Sequence, residues 1–64
     1  MSTKELIKFL AIARGSLEES KYLLHLSHRL AYFDDACYTT LKEEADTTAK
    51  MLNALIRSLK SKLP

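Results

Sequence analysis

The chain has 64 residues, of which 47% are hydrophobic and 28% charged; it contains one Gly and one Pro, and its formal net charge is +2. This composition is typical of a folded helical domain and excludes disordered and collagen-like chains. A chain of this length buries only about 60% of the surface that it exposes when unfolded, so we expect one small domain that gains stability by association.

Charged residues interrupt every apolar stretch, so the sequence offers neither the roughly 20 apolar residues of a membrane span nor a signal peptide. Lys4, Glu5 and Lys8 break the N-terminal segment in particular. The single cysteine, Cys37, cannot form an internal disulfide and favours a reducing compartment. We therefore expect a cytoplasmic protein that does not contact a membrane, in which Cys37 serves as a small buried residue.

The first predicted helix begins near Thr3 and ends near Ala31. Ser2 and Glu5 have the spacing of a capping box, in which each side chain satisfies a free backbone N–H at the helix start. Apolar residues then recur every three or four positions, which is typical of a helix with a broad core face. The predicted core face consists of Leu6, Phe9, Leu10, Ala13, Leu17, Leu24 and Ala31. It is flanked by Ile12, Ser16, Ser20, Leu23, Ser27 and Leu30. The serines can hydrogen-bond to a carbonyl one turn earlier, so they can pack against a second helix.

The second predicted helix covers about residues 35–62. The segment from Tyr32 to Asp35 interrupts the first apolar pattern, and Asp34 is the predicted N-cap. One face of the helix then consists of Tyr38, Leu41, Ala45, Thr48, Leu52, Leu55, Ile56, Leu59 and Leu63. A short connection makes the two helices antiparallel neighbours. The predicted fold class is therefore all-α, a single antiparallel two-helix hairpin domain that spans residues 1–64.

A second line of apolar and small residues runs along the opposite side of the first helix. This line, the outer stripe, consists of Ala11, Gly15, Tyr22, Leu26 and Phe33. Glycine costs roughly 1 kcal/mol relative to alanine inside a helix, so Gly15 indicates that another chain approaches closely. The alternative is an exposed glycine that is merely tolerated. We predict that the outer stripe is an oligomer interface and that the hairpin completes a four-helix bundle by homo-oligomerisation.

Charge is distributed unevenly along the chain. Residues 1–14 and 50–64 hold seven basic residues against Glu5 alone, whereas residues 15–49 hold three basic and seven acidic residues. An antiparallel hairpin brings both basic segments to one end, where they can contact the phosphates of RNA or DNA. The candidate nucleic-acid-binding residues of this basic end are Lys4, Lys8, Arg14, Lys50, Arg57, Lys60 and Lys62. The alternative is that these charges provide solubility and complement the helix dipole.

No residue pattern predicts a reaction. His25 and His28 lie one turn apart, but two ligands fall short of a zinc site, which uses four protein ligands or three and a water. Cys37 has no histidine or acid at a spacing that would activate it as a nucleophile. The sequence also contains no phosphate loop and no Ser-His-Asp arrangement. We therefore expect no enzymatic activity, no metal and no cofactor.

Three segments, residues 9–19, 30–32 and 51–59, carry a resemblance to a known family. They are similar to the C-terminal half of the four-helix-bundle proteins known as the 23S ribosomal RNA intervening-sequence proteins. Members of that family are small bacterial proteins with no established catalytic activity, and their up-down bundles can assemble into pentameric rings. A related member, the accessory variability protein of diversity-generating retroelements, is a basic pentamer to which nucleic-acid binding is ascribed.

The resemblance implies a bacterial assembly or binding module with nucleic acid as a candidate partner. The family's first two helices have no counterpart in the sequence, and Ala31 and Ala54 stand where the family usually has glycine. Without glycine at the end of the first helix, we expect that helix to run a residue or two further, or the turn to be tighter. We favour a dimer of two hairpins over a pentamer. A protein-protein interaction module whose partner supplies the other two helices remains the alternative.

Overall fold

The computed structural model describes all 64 residues and contains two antiparallel helices, α1 over Thr3–Arg29 and α2 over Asp35–Lys60. The chain has no strand, as its sequence predicts. The two helices lie side by side along an elongated molecule whose principal dimensions are 48 × 15 × 14 Å. Neither helix is long and apolar enough to cross a bilayer.

Both helices begin at the residues that their caps predict. The Ser2 hydroxyl oxygen accepts a hydrogen bond from the Glu5 backbone N–H at 3.1 Å, and the hydroxyl donates to the Glu5 carboxylate. The Asp34 carboxylate accepts a hydrogen bond from the Cys37 N–H at 2.8 Å. Each cap thus satisfies a backbone donor that a helix leaves unpaired in its first turn.

The helix α1 ends at Arg29, two residues earlier than predicted. Ala31 adopts the left-handed conformation, with a φ of 62°. Its N–H donates to the carbonyl of His28, and the N–H of Tyr32 donates to the carbonyl of Ser27, both at 3.0 Å. These two bonds form a Schellman motif, which satisfies the last carbonyls of the helix. The expectation that the helix would continue through Ala31 is therefore wrong, because alanine takes the conformation that glycine favours.

The helix α2 ends at Lys60, also two residues before the predicted end. The N–H groups of Lys62 and Leu63 donate to the carbonyls of Leu59 and Lys60, which lie three residues earlier and mark a turn that is tighter than an α-helix. Pro64 disfavours the α conformation at the preceding residue, so the helix does not continue to the end of the chain.

The two helices meet along a narrow line of apolar side chains. Ala49 and Ile56 of α2 are the only buried residues. The other apolar members of this contact line are half-buried: Leu6, Leu10, Leu17 and Leu24 of α1, Tyr38, Ala45, Leu52 and Leu59 of α2, and Leu63, which follows α2. From Ala45 onwards the members in α2 alternate between spacings of four and three residues, which is the pattern of neighbouring helices in a bundle.

The predicted core face of α1 is wider than the contact line. Its members Phe9, Ala13 and Ala31 are exposed, as are the flanking residues Ile12, Ser16, Ser20, Leu23 and Leu30. In α2, the predicted face residues Leu41, Thr48 and Leu55 are exposed as well. The assignment of all these residues to the core of the hairpin is therefore wrong. A single neighbouring helix covers only one strip of a helix surface, and the apolar surface here is broader than that strip.

The hairpin exposes more surface than a compact protein of the same mass. Its accessible surface is 5013 Å² for a mass of 7.3 kDa, whereas a compact monomer of that mass exposes about 4,200 Å². The excess of about 800 Å² is equal to one partner's share of a standard protein-protein interface.

Candidate assembly surface and basic end

Large apolar side chains on both helices lie outside the contact line and are exposed. These residues form the open apolar face, which consists of Phe9, Ile12 and Leu23 of α1, its C-cap residue Leu30, and Leu41, Met51 and Leu55 of α2. Their exposed fractions range from 39% to 67%. The small residues Ala13, Ser16 and Ser20 and the central Thr48 lie among them and are also exposed.

The two halves of the open apolar face lie on the same side of the hairpin. At 100° per residue, the members of the open apolar face on each helix fall on one flank of its contact line. Because the two helices are antiparallel, these two flanks face the same way. The face therefore continues across both helices, and from Phe9 to Leu30 it is about 30 Å long. A helix pair in a four-helix bundle presents this kind of surface to the other pair.

Polar contacts between the helices occupy the opposite side of the hairpin. Arg14 Nη1 donates to Asn53 Oδ1 at 3.0 Å. Seven residues further along α1, Lys21 Nζ lies 2.9 Å from Asp46 Oδ1. A separation of seven residues is close to two helical turns, so both contacts lie on the same flank of α1.

Lys21 and Asp46 form the centre of a small charge network. Lys21 also lies 3.7 Å from Glu18, and Asp46 lies 3.6 Å from Lys42. The hydrogen bond from Lys21 lowers the pKa of Asp46 below its ordinary value of 3.8. The same hydrogen bond raises the pKa of Lys21 above its ordinary value of 10.5. Both shifts favour the charged forms of the two side chains, so both are charged throughout the neutral pH range.

A third polar contact joins the helices beside the connecting turn. His28 Nε2 lies 2.6 Å from Asp35 Oδ1, and the His28 ring stacks on the Tyr38 ring with centroids 4.1 Å apart. The Tyr38 hydroxyl lies 3.5 Å from Nδ1 of His25. These contacts join the last turns of α1 to the first turn of α2. No group of three or more His, Cys, Asp or Glu side chains lies close enough together to hold a metal ion.

Cys37 is exposed, so the prediction that it is a buried apolar residue is wrong. At 100° per residue, its position in the first turn of α2 falls on the flank that carries the open apolar face. The side chains of α1 that pack against α2 do not cover this flank.

The outer stripe faces away from α2. Gly15, Tyr22 and Leu26 are exposed, and Ala11 and Phe33 are half-buried. A Cβ atom at Gly15 would meet no atom within 4 Å, so packing within the hairpin does not require glycine there. The outer stripe stays a predicted interface. It is separate from the open apolar face, which contains more large apolar side chains.

The antiparallel topology places the start of α1 beside the end of α2, so Lys4 and Lys8 lie at the same end of the hairpin as Arg57, Lys60 and Lys62. Lys50 lies closer to the middle of the hairpin, level with the segment between Arg14 and Lys21. The candidate residues that are exposed and take no part in an ion pair are Lys4, Lys8, Lys50, Arg57, Lys60 and Lys62. Arg14 differs from them, since it is half-buried and donates to Asn53. A shallow cavity of about 290 Å³ at this end is lined by Arg14, Asn53, Ile56, Arg57 and Lys60. Arg57 and Lys60 therefore lie with Arg14 on the polar side of the hairpin.

Two long antiparallel helices with one polar side and one open apolar face define an all-α helical hairpin. The family model described as 23S rRNA-intervening sequence protein matches residues 1–54, which include all of α1 and extend to Ala54 in α2. The chain belongs to this family, as its sequence resemblance indicates. No curated protein and no solved structure matches the chain significantly.

Proposed function

We propose that this protein is a non-catalytic assembly module, in which two hairpins associate through their open apolar faces into a four-helix bundle. In this proposal, α1 and α2 correspond to the C-terminal pair of helices in the family's bundle. The basic end of each hairpin is a surface for RNA or DNA, in keeping with the resemblance to the accessory variability protein. A cytoplasmic location, which the single cysteine favours, belongs to the same proposal.

The observation that carries this proposal is the open apolar face. The hairpin buries only Ala49 and Ile56, while the seven large apolar side chains of the open apolar face are exposed. Contiguous apolar patches on this scale mark interaction surfaces, and they are costly to leave in water. Pairing of two such faces removes them from water and creates the larger core that a chain of this size cannot build alone.

The basic end supports the nucleic-acid part of the proposal. Its exposed cations have no acidic partner within the hairpin, and Arg57 and Lys60 lie on the side opposite to the open apolar face. Association through the apolar face therefore leaves them accessible. Contacts with phosphates release counterions, which makes such binding independent of sequence and sensitive to salt.

The alternative function is a protein-protein interaction module whose partner supplies the other two helices. The same open apolar face would then receive two helices of a different chain. The alternative is favoured if the purified chain remains a monomer. The outer stripe provides a second predicted interface in either case, through which bundles would associate into larger assemblies such as rings.

Sedimentation equilibrium tests the assembly with a matched pair of variants. Leu23 and Tyr22 are neighbours in α1 and are similarly exposed, 58% and 65%, but only Leu23 belongs to the open apolar face. We expect the unmodified chain and Tyr22→Lys to form dimers, and Leu23→Lys to be monomeric. Equal dimerisation by both variants would contradict an interface at this face.

Fluorescence anisotropy tests the nucleic-acid part. Labelled RNA and DNA oligonucleotides of unrelated sequence are titrated with the protein at low and moderate salt. We expect binding at low salt that weakens steeply as salt rises. If neither RNA nor DNA binds at low salt, the basic end serves only solubility and the helix dipole.

A further inference from the structure

We infer that the open apolar face receives a second copy of this chain that runs in the opposite direction, so that the connecting turns lie at opposite ends of the bundle. We call this antiparallel, two-fold symmetric arrangement the head-to-tail orientation. This inference rests on the proposed assembly and specifies its geometry. Two orientations are possible when identical hairpins pair face to face around a two-fold axis. In one, both connecting turns lie at the same end; in the other, they lie at opposite ends.

The contacts between α1 and α2 establish which residues lie at the same level along the hairpin. Arg14 meets Asn53, and Lys21 meets Asp46. Counted along the antiparallel helices from these two contacts, residues 19 and 20 of α1 lie level with residues 47 and 48 of α2.

Two pairs of large side chains in the open apolar face, Phe9 with Leu30 and Leu41 with Leu55, are centred on this level. In α1, the midpoint between Phe9 and Leu30 falls between residues 19 and 20, and the midpoint between Ser16 and Leu23 falls at the same place. In α2, the midpoint between Leu41 and Leu55 is Thr48. A two-fold axis that crosses the hairpin at this level therefore passes through the centre of both pairs.

Head-to-tail pairing about this axis matches large side chains with complementary neighbours. α1 lies against α1 of the second copy, so that Phe9 meets Leu30 and the small Ser16 meets the larger Leu23. α2 lies against α2 of the second copy, with Leu41 opposite Leu55. Alternation of small and large residues across an interface lets the side chains interdigitate.

The charge distribution favours the same orientation. Divided at the level of the axis, the half with the chain termini, residues 1–19 and 48–64, holds seven basic and three acidic residues, and the half with the connecting turn, residues 20–47, holds three basic and five acidic residues. Head-to-tail pairing places the positive half of each copy beside the negative half of the other. Pairing with both turns at one end would bring the two basic ends together, and like charges across an interface disfavour association.

Distances between nitroxide spin labels, measured by double electron-electron resonance in the purified dimer, distinguish the orientations. One label is placed on the native Cys37, which is exposed. The other is placed at Thr47→Cys in a Cys37→Ser background; Thr47 is exposed at the edge of the face. Sedimentation of each labelled protein first establishes that it is a dimer.

Head-to-tail pairing predicts a long Cys37 distance and a short Thr47 distance. Cys37 lies 11 residues from the axis at Thr48, which separates its two copies by about 33 Å along the bundle. The two Thr47 positions lie within about 3 Å of the same level and on one edge of the bundle. With both turns at one end, the Cys37 distance is the shorter of the two. The Cys37 copies then lie about 11–14 Å apart across the bundle, and the Thr47 copies point away from each other.

Each result has a separate meaning. A Cys37 distance above about 30 Å with a short Thr47 distance supports the head-to-tail bundle. A short Cys37 distance with a long Thr47 distance in a dimer overturns the orientation and leaves the proposed assembly standing. If the label on Cys37 dissociates the dimer, the Thr47 distance alone decides the orientation. An unlabelled chain that remains monomeric overturns the proposed assembly and with it this inference.

Discussion

Lys21 of α1 lies 2.9 Å from Asp46 of α2, and this ion pair is one of four polar contacts between the helices. The other three join Arg14 to Asn53, His25 to Tyr38 and His28 to Asp35. In a hairpin that buries two residues, polar contacts of this kind set the register of the helices and distinguish the solvent side from the apolar side.

The first prediction concerns the pH dependence of this ion pair. The pKa of Asp46 is lowered in the folded state, so its contribution to stability is present above its ordinary pKa of 3.8 and is lost as the pH falls through the lower folded value. The pKa of Lys21 is raised, so its contribution is present below 10.5 and is lost as the pH rises through the higher folded value. Asp46→Asn should therefore lower the free energy of unfolding at neutral pH and make little difference in strong acid.

Urea unfolding followed by circular dichroism, at a series of pH values and fixed protein concentration, measures this effect. Glu19→Gln is the matched control, because Glu19 is exposed on α1 and takes part in no ion pair. The control should follow the parent protein at every pH. A constant difference between Asp46→Asn and the parent from neutral pH into strong acid would show that the ion pair does not stabilise the hairpin.

The second prediction concerns the end of α1. Ala31 has a φ of 62°, a conformation that costs a residue with a Cβ roughly 1–2 kcal/mol and costs glycine very little. Ala31→Gly should therefore raise the free energy of unfolding by about 1 kcal/mol, although glycine usually destabilises helical proteins. Ala54→Gly is the control, since Ala54 lies inside α2 and the same substitution should lower stability by about 1 kcal/mol. Thermal unfolding at fixed concentration compares the two, and a loss of stability in both would contradict the Schellman geometry.

The sequence predicts well where the helices begin, and less well which residues of each helix the other helix covers. Ser2 and Asp34 mark the helix starts because capping depends on residues that are close in sequence. Apolar periodicity likewise shows which side of α1 avoids water, but it does not show how much of that side α2 covers. Leu23 and Leu24 are adjacent members of one apolar region, yet only Leu24 lies on the contact line. The distinction depends on the direction from which α2 approaches, which is a tertiary property.

For a related reason, the sequence alone does not identify the partners of Arg14 and Lys21 in α2. Their spacing of seven residues places both on one flank of α1, but their partners Asn53 and Asp46 are identified only by the register of the two helices. The sequence alone therefore places Arg14 with the exposed cations of the basic end. The same spacing of seven between Asn53 and Asp46 in α2 is the signal that could have paired them.

The third prediction separates the outer stripe from the open apolar face. Gly15 has open space around it, so leucine fits there without changing the hairpin, and it improves helix propensity by roughly 1 kcal/mol. Gly15→Leu should keep the dimer and abolish any larger assembly, because a bulky side chain obstructs a second chain at the outer stripe. Sedimentation velocity distinguishes these species. If larger assemblies persist in Gly15→Leu, glycine at this position is only tolerated.

The fourth prediction concerns the basic end. Arg57, Lys60 and Lys62 are exposed and unpaired, so replacing all three with glutamine removes phosphate contacts without breaking a contact in the hairpin. Affinity for unrelated RNA and DNA sequences should fall, and the log–log salt dependence should become shallower by about two to three, at roughly 0.7–0.9 per contact. The control replaces Arg29, which is exposed, lies towards the connecting turn and takes part in no ion pair. Unchanged affinity and salt dependence in the triple variant would exclude this end as the binding surface.

The fifth prediction concerns the one acidic side chain among the apolar residues of α2. Glu44 lies between Leu41 and Met51, is exposed and takes part in no ion pair. At 100° per residue, it falls on the flank that carries the open apolar face. Pairing of two faces would cover part of its carboxylate, which costs free energy. Glu44→Leu should therefore tighten the dimer, by about 2 kcal/mol or roughly thirtyfold in the dissociation constant.

Glu43→Leu is the matched control for this substitution. Glu43 is the preceding residue, takes part in no ion pair and lies on the outward side of α2. Glu43→Leu therefore adds the same apolar side chain away from the open apolar face. Sedimentation equilibrium of both variants and the parent gives the three dissociation constants. Because leucine and glutamate have similar helix propensities, any effect on helix stability is shared by the two variants. A dimer that is tightened by Glu44→Leu and not by Glu43→Leu therefore reports the position of the interface, whereas equal constants for the two variants would show that the chains do not meet at this face.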